Sequence, residues 1–186
     1  MVGGGVKFYK PKPKAKSLNL QLYKKETRDL KMSGKKHFHE ELKAFLIELG
    51  EKEGHKSYSG DSECLDVRIK KKCVTYKPDV IWNTGKSCYV FEFAFTEDWR
   101  AVIGEFALAW LKGCSRFFVF RLVNTEEEQD SEYELLNNLF GILWKGLEKV
   151  KKTRWYFWVL TKKDVKDMDK TKRAIRAELK KWKFIA

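Results

Sequence analysis

Residues 77–95 read KPDVIWNTGKSCYVFEFAF, two runs of β-branched and aromatic residues on either side of the turn Asn83-Thr84-Gly85-Lys86, which is the pattern of a β-hairpin. In the second run Tyr89, Phe91, Phe93 and Phe95 alternate with Cys88, Val90, Glu92 and Ala94. One strand face is therefore wholly aromatic and belongs to the core, while the other carries a single acid. A two-residue loop at Thr84-Gly85 sets the register: Asn83 faces Lys86, Asp79 faces Val90, and Lys77 stands directly opposite Glu92. Glu92 is then diagonal to Asp79 on the same face, with Cβ atoms roughly 7–8 Å apart. Two carboxylates so placed can share a hard divalent cation such as Mg2+ or Mn2+. Lys77 projects from the same face as Asp79 and adds an ammonium to the pair, although an ordinary cross-strand ion pair is the plainer reading of it.

Outward from the hairpin the periodicity changes. Phe38, Leu42, Phe45, Leu46 and Leu49 fall at helical spacing, predicting an amphipathic helix over 37–51 that starts near Ser33 and Gly34. Glu41 lies at one margin of its apolar stripe and Glu40 points away, which makes Glu41 the candidate acid of this helix; His39 flanks the other margin and reads as structural. Cys64–Ile69, Val74–Trp82 and Ser87–Thr96 form an antiparallel meander. Arg100–Lys112, apolar apart from Glu105 within its middle, reads as a buried helix with Thr96 as a possible cap. A buried carboxylate needs compensation, from a metal site or from Arg100. There follow a strand (Arg116–Val123), a polar loop (Asn124–Asp130), a helix (Glu132–Val150), a strand (Trp155–Thr161) and a basic helix (about Asp167–Lys183). In that last helix Ile175, Leu179 and Trp182 line one side and Lys172, Arg173 and Arg176 lie on the basic remainder. The consecutive aromatics Trp155 to Trp158 must face both sides of their strand, so core packing is favoured over base stacking.

The 186 residues carry a net charge of +13, and the charge is segregated. Residues 1–36 hold eleven basic and two acidic residues, 162–186 ten and four, and 37–161 eighteen and twenty. Basic ends around an acidic centre suit a polyanion drawn by salt-dependent attraction, with Lys10, Lys12, Lys14 and Lys16 of the N-terminal arm, Arg100, Lys172, Arg173 and Arg176 as the contacts. Solvation of a thermostable surface is the blander alternative. Cys64, Cys73, Cys88 and Cys114 form no CxxC pair and complete no zinc spacing with His37, His39 or His55, which argues against structural zinc. Reduced or merely structural thiols are favoured, with disulfides open in a hyperthermophile. No apolar run approaches the length of a membrane span or a secretory signal, so an intracellular protein with no membrane partner is expected.

The order helix, antiparallel strands, helix, strand over 37–123 resembles the core of the PD-(D/E)XK (restriction-endonuclease-like) nucleases, a superfamily that includes archaeal Holliday-junction resolvases and virus-encoded nucleases. Pro78-Asp79 stands for the PD element, Glu92-Phe93-Ala94 for (D/E)XK, and Gly104-Glu105 opens the helix in which many members carry a Gln followed four residues later by Tyr. The resemblance implies an α/β fold with a central mixed sheet flanked by helices, in α-β-β-β-α-β order. A basic arm (1–36) would precede this core (37–123) and an α-β-α extension (124–186) would pack on it. It also implies a Mg2+-dependent nuclease acting on nucleic acid, DNA foremost, with Asp79, Glu92, Lys77 and Glu105 in the catalytic cluster, Glu41 joining Asp79 and Glu92 at the metal, and a homodimer as a common assembly. The sequence departs from the family at Ala94, where the motif lysine belongs. Two readings stay open: another cation fills that role, or the chain is an inactive relative that binds DNA or RNA without cutting it.

Overall fold

A computed structural model describes the backbone of residues 18–95, 99–147 and 154–186, and side chains from Gly34 onward apart from residues 140 and 142–147. Lys10, Lys12, Lys14, Lys16 and Thr96 lie outside the described residues. The chain divides into two units, Met1–Gly34 and Lys35–Ala186, and the second carries every side chain discussed below.

That unit is α/β, with a mixed five-stranded sheet in the order β1-β4-β5-β6-β7 and a separate two-stranded ribbon, β2-β3. The strands are β1 (Lys56–Tyr58), β2 (Leu65–Ile69), β3 (Lys72–Tyr76), β4 (Val80–Asn83), β5 (Cys88–Phe93), β6 (Arg116–Leu122) and β7 (Arg154–Leu160). The helices are α1 (Leu18–Lys52), α2 (Trp99–Lys112), α3 (Glu126–Leu147), α4 (Lys162–Lys166) and α5 (Met168–Lys181). β1, β4 and β5 pair antiparallel. β5, β6 and β7 pair parallel through the α2 and α3 crossovers.

Both faces of this sheet are covered, as parallel strands require. Phe91, Phe93, Phe118, Phe120 and Trp158 meet Leu42 and Leu46 of α1 and Ile175 and Leu179 of α5. Val90, Ala94, Phe117, Val119 and Val159 meet Val102 and Phe106 of α2, Leu136 of α3 and Leu65, Val67 and Tyr76 of the ribbon. The alternation expected of β5 holds, and its aromatics continue across the sheet: Phe91 stacks on Phe118 with centroids 4.5 Å apart, and Phe120 on Trp158 at 4.6 Å. β7 uses both faces, Trp158 toward α5 and Phe157 toward α3.

Several expectations are corrected. Val74–Trp82 is not one strand: Pro78, which has no N–H to give a ladder, divides it into β3 of the ribbon and β4 of the main sheet. The meander is therefore two antiparallel pairs. The β4–β5 loop has four residues, Thr84–Ser87, closed by the Thr84 N–H to the Ser87 carbonyl at 2.9 Å, so Asn83 pairs with Cys88 and Ile81 with Val90. The shift of two residues keeps every side chain on its expected face. It removes Lys77 from the position opposite Glu92. Helical backbone runs back to Leu18, so Ser33 and Gly34 do not start α1. α3 begins at Glu126, inside the expected loop, with three acids in its first turn where the helix dipole favours them. α2 is amphipathic rather than wholly buried, with Leu111 41% exposed. Within residues 124–186, β7 joins the main sheet as the parallel partner of β6. Cys88 and Cys114 form a disulfide that ties the start of β5 to the turn before β6, while Cys64 and Cys73 are free and exposed. No described helix is long and apolar enough to cross a membrane.

Candidate active site

Asp79 lies just before β4, where Pro78 ends one ladder and the next begins. Its carboxylate substitutes for the missing rung: Oδ2 accepts the Phe93 N–H at 2.8 Å, while the Asp79 N–H donates to Glu92 Oε2 at 3.3 Å. The two acids are thus directly across from each other, closer than the diagonal placement expected from the shorter loop. Glu92 points into the α2 layer and is 5% exposed, with its Oε1 accepting the Tyr76 hydroxyl from the ribbon. Burial pushes the Glu92 carboxyl well above the ordinary carboxylate range, and the charges of Glu105 and Asp79 push it further. Burial raises the Tyr76 hydroxyl in the same sense, with Glu92 and Glu105 adding to it.

Asp79 behaves in the opposite way. Burial resists its ionisation, yet the hydrogen bonds from His39 and the Phe93 N–H, with the charges of His39 and Lys43, hold it below the usual carboxylate range. His39 Nε2 stands 3.1 Å from Asp79 Oδ1 and Nδ1 stands 3.2 Å from Glu40 Oε1. An imidazole facing a carboxylate at each nitrogen donates from both only when protonated. Its pKa is raised, chiefly by the Asp79 hydrogen bond and against the effect of burial. The ring edge packs on Phe93 with centroids 5.0 Å apart, which fixes its orientation.

The structure brings Asp79, Glu92 and the charge of Glu105 together, and it places Glu41 elsewhere, with Lys172. Glu41 contacts Lys172 at 3.0 Å and His37 at 3.6 Å, on the helix margin away from His39. Lys77 is exposed in the β3–β4 link and no longer stands opposite Glu92. Arg100 is exposed on the first turn of α2. Lys172, Arg173 and Arg176 line a cavity of about 340 Å³ with Glu41, Glu48 and Asp169, so part of the basic face of α5 meets acids of its own chain. Ala94 is fully buried among apolar neighbours.

The sequence reading misses His39, Lys43 and Tyr76 as members of the site. His39 and Lys43 are spaced i, i+4 along one margin of the α1 stripe, a signal that is visible once that margin is known to face Asp79. Tyr76 carries none, because a strand running unbroken from Val74 to Trp82 puts it in the main sheet. Gly60 supports the whole link: its N–H donates to the Pro78 carbonyl at 2.8 Å, and a Cβ there would lie 2.4 Å from that oxygen and 2.7 Å from the Lys77 Cα. Gly60→Ala should therefore push the Lys77–Asp79 backbone away and lower stability by about 1–3 kcal/mol, read as a lower urea midpoint; an unchanged midpoint would show that the link yields freely.

Among the described residues no group of three or more His, Cys, Asp or Glu side chains is placed to hold a metal ion. Mg2+ asks for less, one or two carboxylates with the remaining positions filled by water, and Asp79 and Glu92 are the two carboxyl groups that could supply them. No protein-family model, curated protein or solved structure matches the chain.

Proposed function

We propose that the chain is a metal-dependent nuclease of the PD-(D/E)XK kind, hydrolysing phosphodiester bonds in nucleic acid, DNA in particular, with Asp79 and Glu92 holding Mg2+ or Mn2+. The observation that carries this reading is the placing of two carboxyl groups, Asp79 and the buried Glu92, directly across the β4–β5 ladder from each other, with the charge of Glu105 bearing on Glu92. Glu92 is enclosed, hydrogen-bonded to the main chain of Asp79, and loaded by the charges of Asp79 and Glu105. Such a cluster is costly to bury, and carboxyls perturbed in this way mark functional sites. A divalent cation would stabilise both carboxylates in their ionised form. The order α1, β4, β5, α2, β6 is compatible with the core of that family.

When bound, Mg2+ supplies charge stabilisation at a phosphoryl oxygen and lowers the pKa of a water. The chain supplies the rest. Asp79 is held below and Glu92 above the ordinary carboxylate range, Asp79 and Glu92 would hold the ion, and Tyr76 and His39 orient the two carboxyl groups. With Ala94 where the motif lysine belongs, His39 and Lys43 are cations whose fields reach Asp79, and Lys43 is 14% exposed and paired with Asp61 at 3.2 Å.

The competing reading, a protein that binds DNA or RNA without cutting it, has one observation in its favour: all four oxygens of Asp79 and Glu92 already face protein donors. Incubating the protein with a panel of labelled DNA and RNA structures in Mg2+, Mn2+ or chelator separates the two. Cleavage that needs the metal and vanishes in Asp79→Asn is the result expected of a nuclease. Retention of the panel without any cleavage in either metal is the result expected of the binding protein.

A further inference from the structure

Resting on the reading of the chain as a nuclease that acts on DNA, we propose that the tip of the β2–β3 ribbon, Arg68–Cys73, enters the major groove of duplex DNA and grips its phosphates. The ribbon stands outside the main sheet. Leu65, Val67 and Tyr76 at its base are buried, whereas all six residues from Arg68 to Cys73 are exposed. Four of the six, Arg68, Lys70, Lys71 and Lys72, are cations and none is an acid.

Three observations bear on this tip. Among the described residues its four cations meet no carboxylate, as is also true of exposed lysines such as Lys77 and Lys86, which leaves them open to an external anion. The two-residue loop Lys70-Lys71, closed by the Ile69–Lys72 pair, is where Asn and Gly ordinarily stand. Lys70 is held there at φ 54°, a conformation that costs a residue with a Cβ, so local geometry does not account for the lysine. Third, the ribbon connects to the carboxylate pair, because the Tyr76 hydroxyl at its base donates to Glu92. Four residue steps of strand lead from Tyr76 to Lys72, roughly 13 Å at the usual rise, so the tip would reach phosphates about one groove away from the bond at the pair. The shape selects the polymer: the major groove of B-form DNA, about 12 Å wide, admits a two-stranded ribbon. The deep, narrow groove of duplex RNA does not.

The test measures affinity for a short DNA duplex by fluorescence anisotropy across a salt series, with chelator present, for the full chain and for Lys70→Gly/Lys71→Gln/Lys72→Gln. The variant should lower the slope of log affinity against log salt by up to ~0.9 for each phosphate it no longer neutralises, with duplex RNA competing poorly against the wild type. Lys70→Gly alone should leave the thermal midpoint no lower than wild type, since it relieves the backbone, so weaker binding is not a folding defect. Duplex DNA should also slow alkylation of Cys73, which lies opposite Arg68, more than that of Cys64. An unchanged slope, or equal competition by duplex RNA, overturns the ribbon assignment and leaves the nuclease reading standing. Loss of binding to anionic vesicles with an unchanged DNA slope overturns it in favour of a membrane surface. Absence of salt-dependent DNA binding by the wild-type chain overturns both.

Discussion

Replacing Glu92 by Gln is expected to make the metal-free protein more stable than wild type at pH 8 and to leave it no more stable at pH 4. Burial first, then the charges of Glu105 and Asp79, raise the Glu92 carboxyl in the folded state. Between the ordinary carboxylate pKa and that raised value the folded chain holds a proton the unfolded chain has released. Stability then falls as pH rises, by up to about 1.4 kcal/mol for each pH unit of that window. Gln carries no such proton, and its carbonyl still accepts the Tyr76 hydroxyl or the Asp79 N–H. His39 is also raised, and its contribution is present at low pH and lost as pH rises through its folded value. It is common to both proteins, so the difference between them isolates Glu92. Urea unfolding in chelator from pH 4 to pH 8 reads the effect directly, and parallel curves for the two proteins would mean that Glu92 is ionised in the folded state.

The same linkage predicts the response to metal. A cation at the pair favours the ionised carboxylate, so Mg2+ should flatten the wild-type pH slope and leave the Gln variant unmoved. Affinity for Mn2+ should rise by about tenfold per pH unit across the window as one proton is released per ion bound. Calorimetry in buffers of different ionisation enthalpy measures that proton. Metal binding without proton release would locate the ion away from Glu92.

The hairpin that carries the acids is legible in the sequence because alternation has a period of two, and an error of two residues in the loop leaves it intact. Asp79 and Glu92 therefore share a face under either register, whereas Lys77 opposite Glu92 depends on the register itself. The break at Pro78 is readable from the missing N–H, whereas the contact of Tyr76 with Glu92 depends on how the ribbon packs on the sheet. The Cys88–Cys114 disulfide is not readable, since it depends on where the α2 crossover returns to the sheet. His39 reads as structural because a histidine at the edge of an apolar stripe usually is. Its second role emerges only when tertiary contact puts Asp79 at one ring nitrogen and Glu40, its own neighbour in sequence, at the other.

Asp79 is the residue whose replacement should separate chemistry from architecture most sharply. Asp79→Ala removes the acceptor of the buried Phe93 N–H, and leaving such a donor unpaired costs about 1–3 kcal/mol, so loss of function in that variant has two explanations. Asp79→Asn keeps a carbonyl for Phe93 and turns an amide NH2 toward His39 Nε2, which can accept it only as neutral imidazole. The Asn variant should therefore unfold close to wild type at pH 8, where His39 contributes least, while the His39 ring titrates at lower pH than in wild type, a shift visible in its NMR resonances. Metal affinity and cleavage should each fall by at least about 100-fold, because groups one shell beyond a metal already cost 10–100-fold when removed. If Asp79→Asn moves the His39 titration as described but leaves Mn2+ affinity at the wild-type value, Asp79 is a structural partner of His39 and the metal site must be sought elsewhere.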